Sequence, residues 1–139
     1  MRPAIDGPMA GVRDHTELNA WKLANELEEL LIPILERPGF RRWPGLRDQL
    51  VRSSSAPGPN IAEGFSRYYP KENAPFVRTA KSSLTETIAH LDKARLRQLI
   101  TREECETLSR IARRARGAAT QYLIYLETAP PPPPGRRKQ

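Results

Sequence analysis

Cysteine is nearly absent from this chain: of 139 residues only Cys105 carries a thiol. No intrachain disulfide is possible, and such sparing use suits a reducing compartment. Histidine is as scarce, and His15 and His90 together with one cysteine offer no ligand spacing for zinc, so no metal is expected. There is no glycine-rich phosphate loop of the Walker or dinucleotide type. Nothing local sets a nucleophile beside a base and an orienting acid, and Ser53-Ser54-Ser55 reads more simply as small-residue packing. These absences point away from an enzyme and from any cofactor.

Long hydrophobic runs are missing too. The longest, Leu30 to Leu35, is broken by Pro33 and is far too short to cross a bilayer. The opening MRPAIDGPMAGVRD lacks the apolar stretch of a secretory signal. The expectation is a cytoplasmic protein with no membrane partner.

What is present is enough for one core. The length suits a single domain, and 38% hydrophobic against 28% charged residues is not a disordered profile. Half of the fourteen prolines lie at the ends: Pro3 and Pro8 come early, and Pro130 to Pro134 form one late run. Formal net charge is +7, which favours polyanion partners without specifying a fold. The charge is uneven. Between Glu17 and Glu36 five acids face one base, Lys22, whereas Arg37 to Glu127 carries an excess of arginine.

Periodicity predicts helices throughout. Residues 1–14, with glycine and proline and no repeat, read as a flexible lead-in. Thr16 is a plausible N-cap for a first helix over about 17–36, its stripe being Leu18, Trp21, Ala24, Leu27, Leu31 and Ile34 or Leu35. Pro33 should bend or weaken its last turn. Arg37 to Pro44 reads as a loop whose Phe40 and Trp43 cap one end of the core. A second helix over 46–67 is kinked or briefly broken at Pro57-Gly58-Pro59. A third covers 73–99, with Phe76, Ala80, Leu84, Thr87 and Leu91 inside. Thr101 and Glu104 form a capping-box pattern that opens a fourth over 102–127, with Leu108, Ile111, Ala112, Ala115, Ala119, Tyr122 and Leu126 on one side. Residues 128–139 read as an extended proline-rich tail with a basic tip. Four helices, short links and no strand candidate predict an all-α, antiparallel up-and-down four-helix bundle with a proline-kinked second helix.

Several residue strings resemble one family. Asn60-Ile61-Ala62-Glu63-Gly64-Phe65 followed by Arg67 is similar to the signature of four-helix-bundle proteins encoded in intervening sequences of bacterial 23S ribosomal RNA genes. Leu18, Trp21 and Ala24 resemble that family's opening. Lys71-Glu72, Phe76, Ala80, Ser83-Leu84 and Glu86 resemble its third helix, and Leu99-Ile100-Thr101 with Glu103-Glu104 the turn into the fourth. The chain departs at Pro57-Gly58-Pro59, at Asn73 where an aromatic is frequent, and at Pro75. The same family includes accessory variability proteins of diversity-generating retroelements. The resemblance therefore implies a homo-oligomer, typically a pentameric ring, that binds RNA or DNA as an adaptor or chaperone and assists a reverse transcriptase. Trp43, Tyr68 and Tyr69 would serve subunit contacts.

The candidate nucleic-acid-binding residues are basic. Arg110, Arg113, Arg114 and Arg116 are the densest cluster, with Arg110 and Arg113 opposite the apolar stripe and the other two on its flanks. Unpaired arginines release counterions on binding phosphate. The plainer reading is a solvated face in which Glu106 pairs with Arg110, but Arg113 has no acid four residues away on either side. Lys93 and Arg97 lie four apart and would extend the basic surface, and Arg136, Arg137 and Lys138 tip the tail. Glu63, set between Ile61 and Phe65, is expected to be partly buried and paired with Arg67. Asn60 is expected to satisfy backbone groups freed by Pro57 and Pro59, so Asn60, Glu63, Gly64 and Arg67 form a structural motif. Against nucleic-acid binding stands a protein-only scaffold whose basic face meets an acidic partner.

Overall fold

The computed structural model describes residues 11–130. Helices α1 (Asn19–Leu35), α2 (Pro44–Ser55), α3 (Pro57–Phe65), α4 (Pro70–Leu96) and α5 (Arg102–Thr128) carry the fold, and the described residues contain no strand. The chain is an antiparallel four-helix bundle in which α2 and α3 share one rod. Cross-links at opposite ends of the rods fix the directions. Ser53 meets Thr87 while Gly64 abuts Asn73, and Cys105 faces Leu91 while Tyr122 meets Asn73.

The α1 entry differs from expectation. Thr16 lies inside a 3-10 turn, His15–Glu17, and the cap is Asp14. Asp14 accepts from the Thr16 amide, and the Glu17 carboxylate reaches back to the Asp14 amide at 3.1 Å. This reciprocal box needs an acid at Asp14 and another three residues on. Leu18 then turns extended and buries its side chain before α1 begins. Val12, assigned to the lead-in, packs against the core. Residues 1–10 of the lead-in and 131–139 of the tail lie outside the described residues.

Pro33 does not end α1. The helix reaches Leu35, and its last turn tightens: the amides of Glu36 and Arg37 bond three residues back, to Pro33 and Ile34. The expected loop after it is a 3-10 helix, Pro38–Arg42, that drives Phe40 into the core at 1% exposure. Trp43 does not follow. It stays 37% exposed at the surface.

The second rod breaks only in its hydrogen bonds. Ala56, between α2 and α3, keeps helical dihedrals of −76° and −36°. Pro44 and Pro57 each sit in a first turn, where a missing amide costs nothing. Asn60 does not serve the carbonyls of Ser53 and Ser55, which Pro57 and Pro59 leave without helical donors. Its side-chain amide instead donates to the Ala56 carbonyl at 2.9 Å, one turn back, where it reaches most easily.

Helix α4 starts at Pro70, again proline in a first turn, and runs through Pro75 unbroken. It closes with the Leu99 amide on the Ala94 carbonyl and the Gln98 amide on that of Arg95, both 2.9 Å. Gln98 takes φ +60°, the left-handed conformation this closure demands. At α5 the predicted box forms. The Thr101 hydroxyl accepts from the Glu104 amide at 3.0 Å, and Glu104 accepts from the Thr101 amide at 2.8 Å.

The core has two parts. At the end closed by the 38–42 turn and the α4–α5 turn it is aliphatic, built on Leu27, Leu31, Leu50, Leu84, Leu91 and Leu108. Toward the other end it is lined by Ala20, Ala24, Ala74, Ala80 and Ala119 around Ile61, Val77 and Tyr122. Ser53 and Thr87 join across α2 and α4 by a buried 2.9 Å hydrogen bond.

Candidate nucleic-acid interface

Helix α5 buries one stripe, Leu108, Ile111, Ala112, Ala115, Ala119, Tyr122 and Leu126, and so turns Arg110, Arg113 and Arg114 to the outside. The three line one shallow hollow with Glu106. Glu106 is engaged elsewhere: it accepts from Arg102 Nε at 3.3 Å, not from Arg110 as expected. Both arginines are four residues from it, and Arg102 is the one it takes. Among the described residues, Arg110, Arg113 and Arg114 have no carboxylate within ion-pair distance.

Arg116 leaves this face. It leans toward α4, where its Nη1 donates to the Thr85 hydroxyl at 3.2 Å. Lys93 is exposed on α4, and Arg97 does not join the α5 face. The α4 side chains that meet α5 are those of Arg78, Thr85 and Asp92, whereas Thr87 and Arg97 meet the α2 side. Arg97 covers the Trp43 ring, its guanidinium carbon 4.1 Å from the centroid. Two helix faces that look alike in sequence are thus separated by the neighbour each one packs on. Arg136, Arg137 and Lys138 lie outside the described residues.

Of the four motif residues, Gly64 and Arg67 meet α4, Glu63 pairs with Arg67, and Asn60 bonds within its own rod. Glu63 is exposed, contrary to expectation, because its helix turns it away from Ile61's buried side. It still receives Arg67 at 2.9 Å. The Arg67 guanidinium also lies over the Phe76 ring, 4.9 Å from its centroid. Gly64 is required by contact. A Cβ there would stand 2.9 Å from Phe76 Cβ and 3.1 Å from the Asn73 carbonyl, with the Asn73 side chain nearer still. Asn73, fully buried at 0% exposure, donates to the Tyr122 hydroxyl at 2.6 Å and so joins α4 to α5. The sequence carried one signal of this bond, a polar residue on the apolar Val77–Ala80–Leu84 stripe.

One further contact, Arg37 to Glu104, had no local signal. Arg37 grips Glu104 with both guanidinium nitrogens, at 2.9 and 2.5 Å. With the Thr101 amide, this holds the Glu104 carboxyl down at about 2. His90 is pushed below its ordinary value by burial and then by Lys93, with Glu86 opposing. His15 sits beside Asp14 and edge-on to Trp21. The Cys105 thiol faces the Leu91 carbonyl, Asp92 and Ser109. Among the described residues no cluster of histidine, cysteine and acids is placed to hold a metal, and no helix is long and apolar enough to cross a membrane.

These helices define a small antiparallel four-helix bundle. The chain belongs to the 23S rRNA-intervening sequence protein family, whose sequence profile matches residues 16–119. A similar solved structure is the crystal structure of a protein of unknown function from the S23 ribosomal protein family of Bacteroides thetaiotaomicron. It is 16% identical, with a TM-score of 0.67 over 75% of this chain and 97% of that one, and at that identity it speaks for the fold. No curated protein matches the chain.

Proposed function

We propose that this protein is a non-enzymatic nucleic-acid-binding adaptor or chaperone whose phosphate-contacting surface is the outer face of α5. The observation that carries this reading is the trio Arg110, Arg113 and Arg114: three exposed guanidiniums on one face, none balanced by a described carboxylate, in a chain of net charge +7. Arginines that already hold an acid have less to gain from a phosphate; these three have solvent and counterions to exchange.

The test is binding of labelled RNA and DNA across a salt series. The expected result is a steep loss of affinity with salt. The triple variant Arg110→Gln, Arg113→Gln, Arg114→Gln should flatten the log–log slope by roughly 0.7 to 0.9 for each phosphate no longer engaged. Its stability should stay within about 0.5 kcal/mol of the parent, because the side chains lie off the core. An unchanged slope removes α5 from the interface.

The family resemblance extends the proposal to a homo-oligomer, a pentameric ring, and to a reverse transcriptase as the assisted enzyme. Large apolar side chains left outside the single chain, Ile32 at 57% and Ile124 at 50% exposure, support burial against further copies. Light scattering that returns 15.8 kDa at micromolar concentration would remove the ring. Ile124 also favours a second reading. It is exposed on the same helix as the arginines, about three turns beyond Arg113; it has nothing to offer a phosphate, and a protein-only scaffold would use both. A partner complex that survives nuclease, with no binding to either nucleic acid at low salt, selects that reading.

A further inference from the structure

The loop end of the bundle carries a second basic group that differs from the α5 face in having an aromatic at its centre. Residues 37–43 supply Arg37, Arg41, Arg42 and Trp43, and residues 93–102 supply Lys93, Arg95, Arg97 and Arg102. The 38–42 turn and the α4–α5 turn are held rigidly together. Phe40 is sunk in the core beside Ile100. A Cβ on Gly39 would already press on Leu99 at 3.2 Å, and Arg37 clamps Glu104 with two bonds.

The arginines here divide into two kinds. Arg37 and Arg102 have carboxylate partners, as do Arg47, Arg67 and Arg78 elsewhere. Among the described residues Arg41, Arg42, Arg95 and Arg97 have none within ion-pair distance, and all four are exposed. The Trp43 side chain makes no capping bond at the start of α2, yet a tryptophan is kept at the surface there with a guanidinium stacked on it. Unpaired bases stack on tryptophan rings and on guanidinium planes, and a single strand presents such bases beside its phosphates. A duplex hides its base faces and offers only phosphate. Arginine, planar and weakly hydrated, suits both contacts where lysine would not.

We propose that this end is a single-strand nucleic-acid site, in which the Trp43–Arg97 stack takes an unpaired base and Arg41 and Arg42 take flanking phosphates. The proposal rests on the reading of the chain as a nucleic-acid binder but not on the α5 face. An acidic protein segment is the competing occupant: it would use the same arginines but gain little from the tryptophan.

The experiment uses the full chain with Trp21→Phe, which leaves Trp43 as the one tryptophan. Probes are oligo(U), oligo(dT), an abasic strand of equal length and a duplex. Single strands should quench Trp43 fluorescence; the duplex and the abasic strand should bind with little quenching. In the parent chain, Trp43→Ala should weaken binding of oligo(U) or oligo(dT) about ten-fold while leaving the salt slope and abasic-strand binding unchanged. Trp43→Phe should restore most of the affinity. Arg41→Gln with Arg42→Gln should lower the single-strand slope by about 0.7 per phosphate released. A preference between oligo(U) and oligo(dT) separates RNA from DNA as the source of the strand. Arg97→Gln gives a second route to the same loss should Trp43→Ala unfold by circular dichroism. The proposal is overturned if the Trp43 and Arg97 variants bind strands like the parent, if duplex quenches equally, or if polyglutamate competes better than oligo(U). If those variants bind normally while the α5 triple variant fails, the α5 reading stands alone. If the α5 variant binds normally while these fail, this site stands without it. If the parent binds no strand at low salt, both fall.

Discussion

The two ends of this bundle solve one packing problem in different ways. The loop end fills its interior mainly with leucine, isoleucine and Phe40, beside Ala94, Ala112 and Ala115. The far end sets five alanines among Leu18, Ile61, Phe65, Val77, Tyr122, Leu123 and Leu126, and α3 meets α4 closely where Gly64 abuts Asn73 and Phe76. A thick aliphatic core gets its stability from volume removed from water, and neighbours relax little when a side chain is cut back. Where small residues bring two helices together, stability depends more on shape and on a few directed bonds, here Asn73 to Tyr122. Large-to-small changes should therefore hurt most at the loop end, and small-to-large changes at the far end.

The sharpest break of that contrast is Leu91→Ala, which cuts a fully buried side chain at the loop end. Urea unfolding should show a loss of about 3 kcal/mol. A loss under about 1 kcal/mol would mean that the aliphatic end collapses freely around the lost volume. Next comes Gly64→Ala at the far end. Alanine favours helix over glycine by about 1 kcal/mol, but the added methyl must displace the Asn73 backbone or Phe76 Cβ. The net result should be a loss of about 1–2 kcal/mol, smaller when Asn73→Ser is already present. A stabilised Gly64→Ala protein would show that the helices do not meet closely there.

The Arg37–Glu104 clamp ties the loop end through charge, and pH resolves it. Glu104 titrates at about 2 in the folded protein against an ordinary 4.5, so its contribution is complete above about pH 4.5 and fades as pH falls toward 2. Glu104→Gln keeps a capping side chain but removes the charge. It should cost about 1 kcal/mol at pH 7, with the two stability curves converging by about pH 2. His90 acts with the same direction at higher pH. Its value lies below 6.5 in the folded state, so protonation below that point disfavours folding in both proteins alike. Parallel curves down to about pH 2 would take the clamp out of the stability. The smallest effect is a gain: Gln98→Gly relieves the left-handed backbone at the end of α4. Thermal melting should rise by a few degrees, about 0.5–1 kcal/mol; an unchanged or lower midpoint would show that the left-handed turn carries no strain.

Much of the fold was legible because helices are local. Steps of three and four in α1, α4 and α5 placed the buried stripes, and the Thr101–Glu104 box needs only residues three apart. The ends of α1 and α4 were less legible. Asp14 captured the cap assigned to Thr16, and Pro70 opened a first turn where the chain read as a loop. At the candidate site, the outward side of α5 followed from its own periodicity, so Arg110 and Arg113 stand where the sequence put them. What the sequence left degenerate was resolved by neighbours. Glu106 had two arginines within one turn and took Arg102; Arg116 found Thr85 across α4; Arg97 found Trp43.

By itself the sequence determined that this chain is helical, which stripes are buried and that its outer surface is basic, since each follows from spacing within one helix and from composition. Only the tertiary structure decided which basic residues share a surface, that Asn73 and Gly64 face each other, and that Arg37 and Glu104 meet across 67 positions of chain. Those outcomes depend on which helices are neighbours and at what distance, and periodicity along one helix carries no information about the helix beside it.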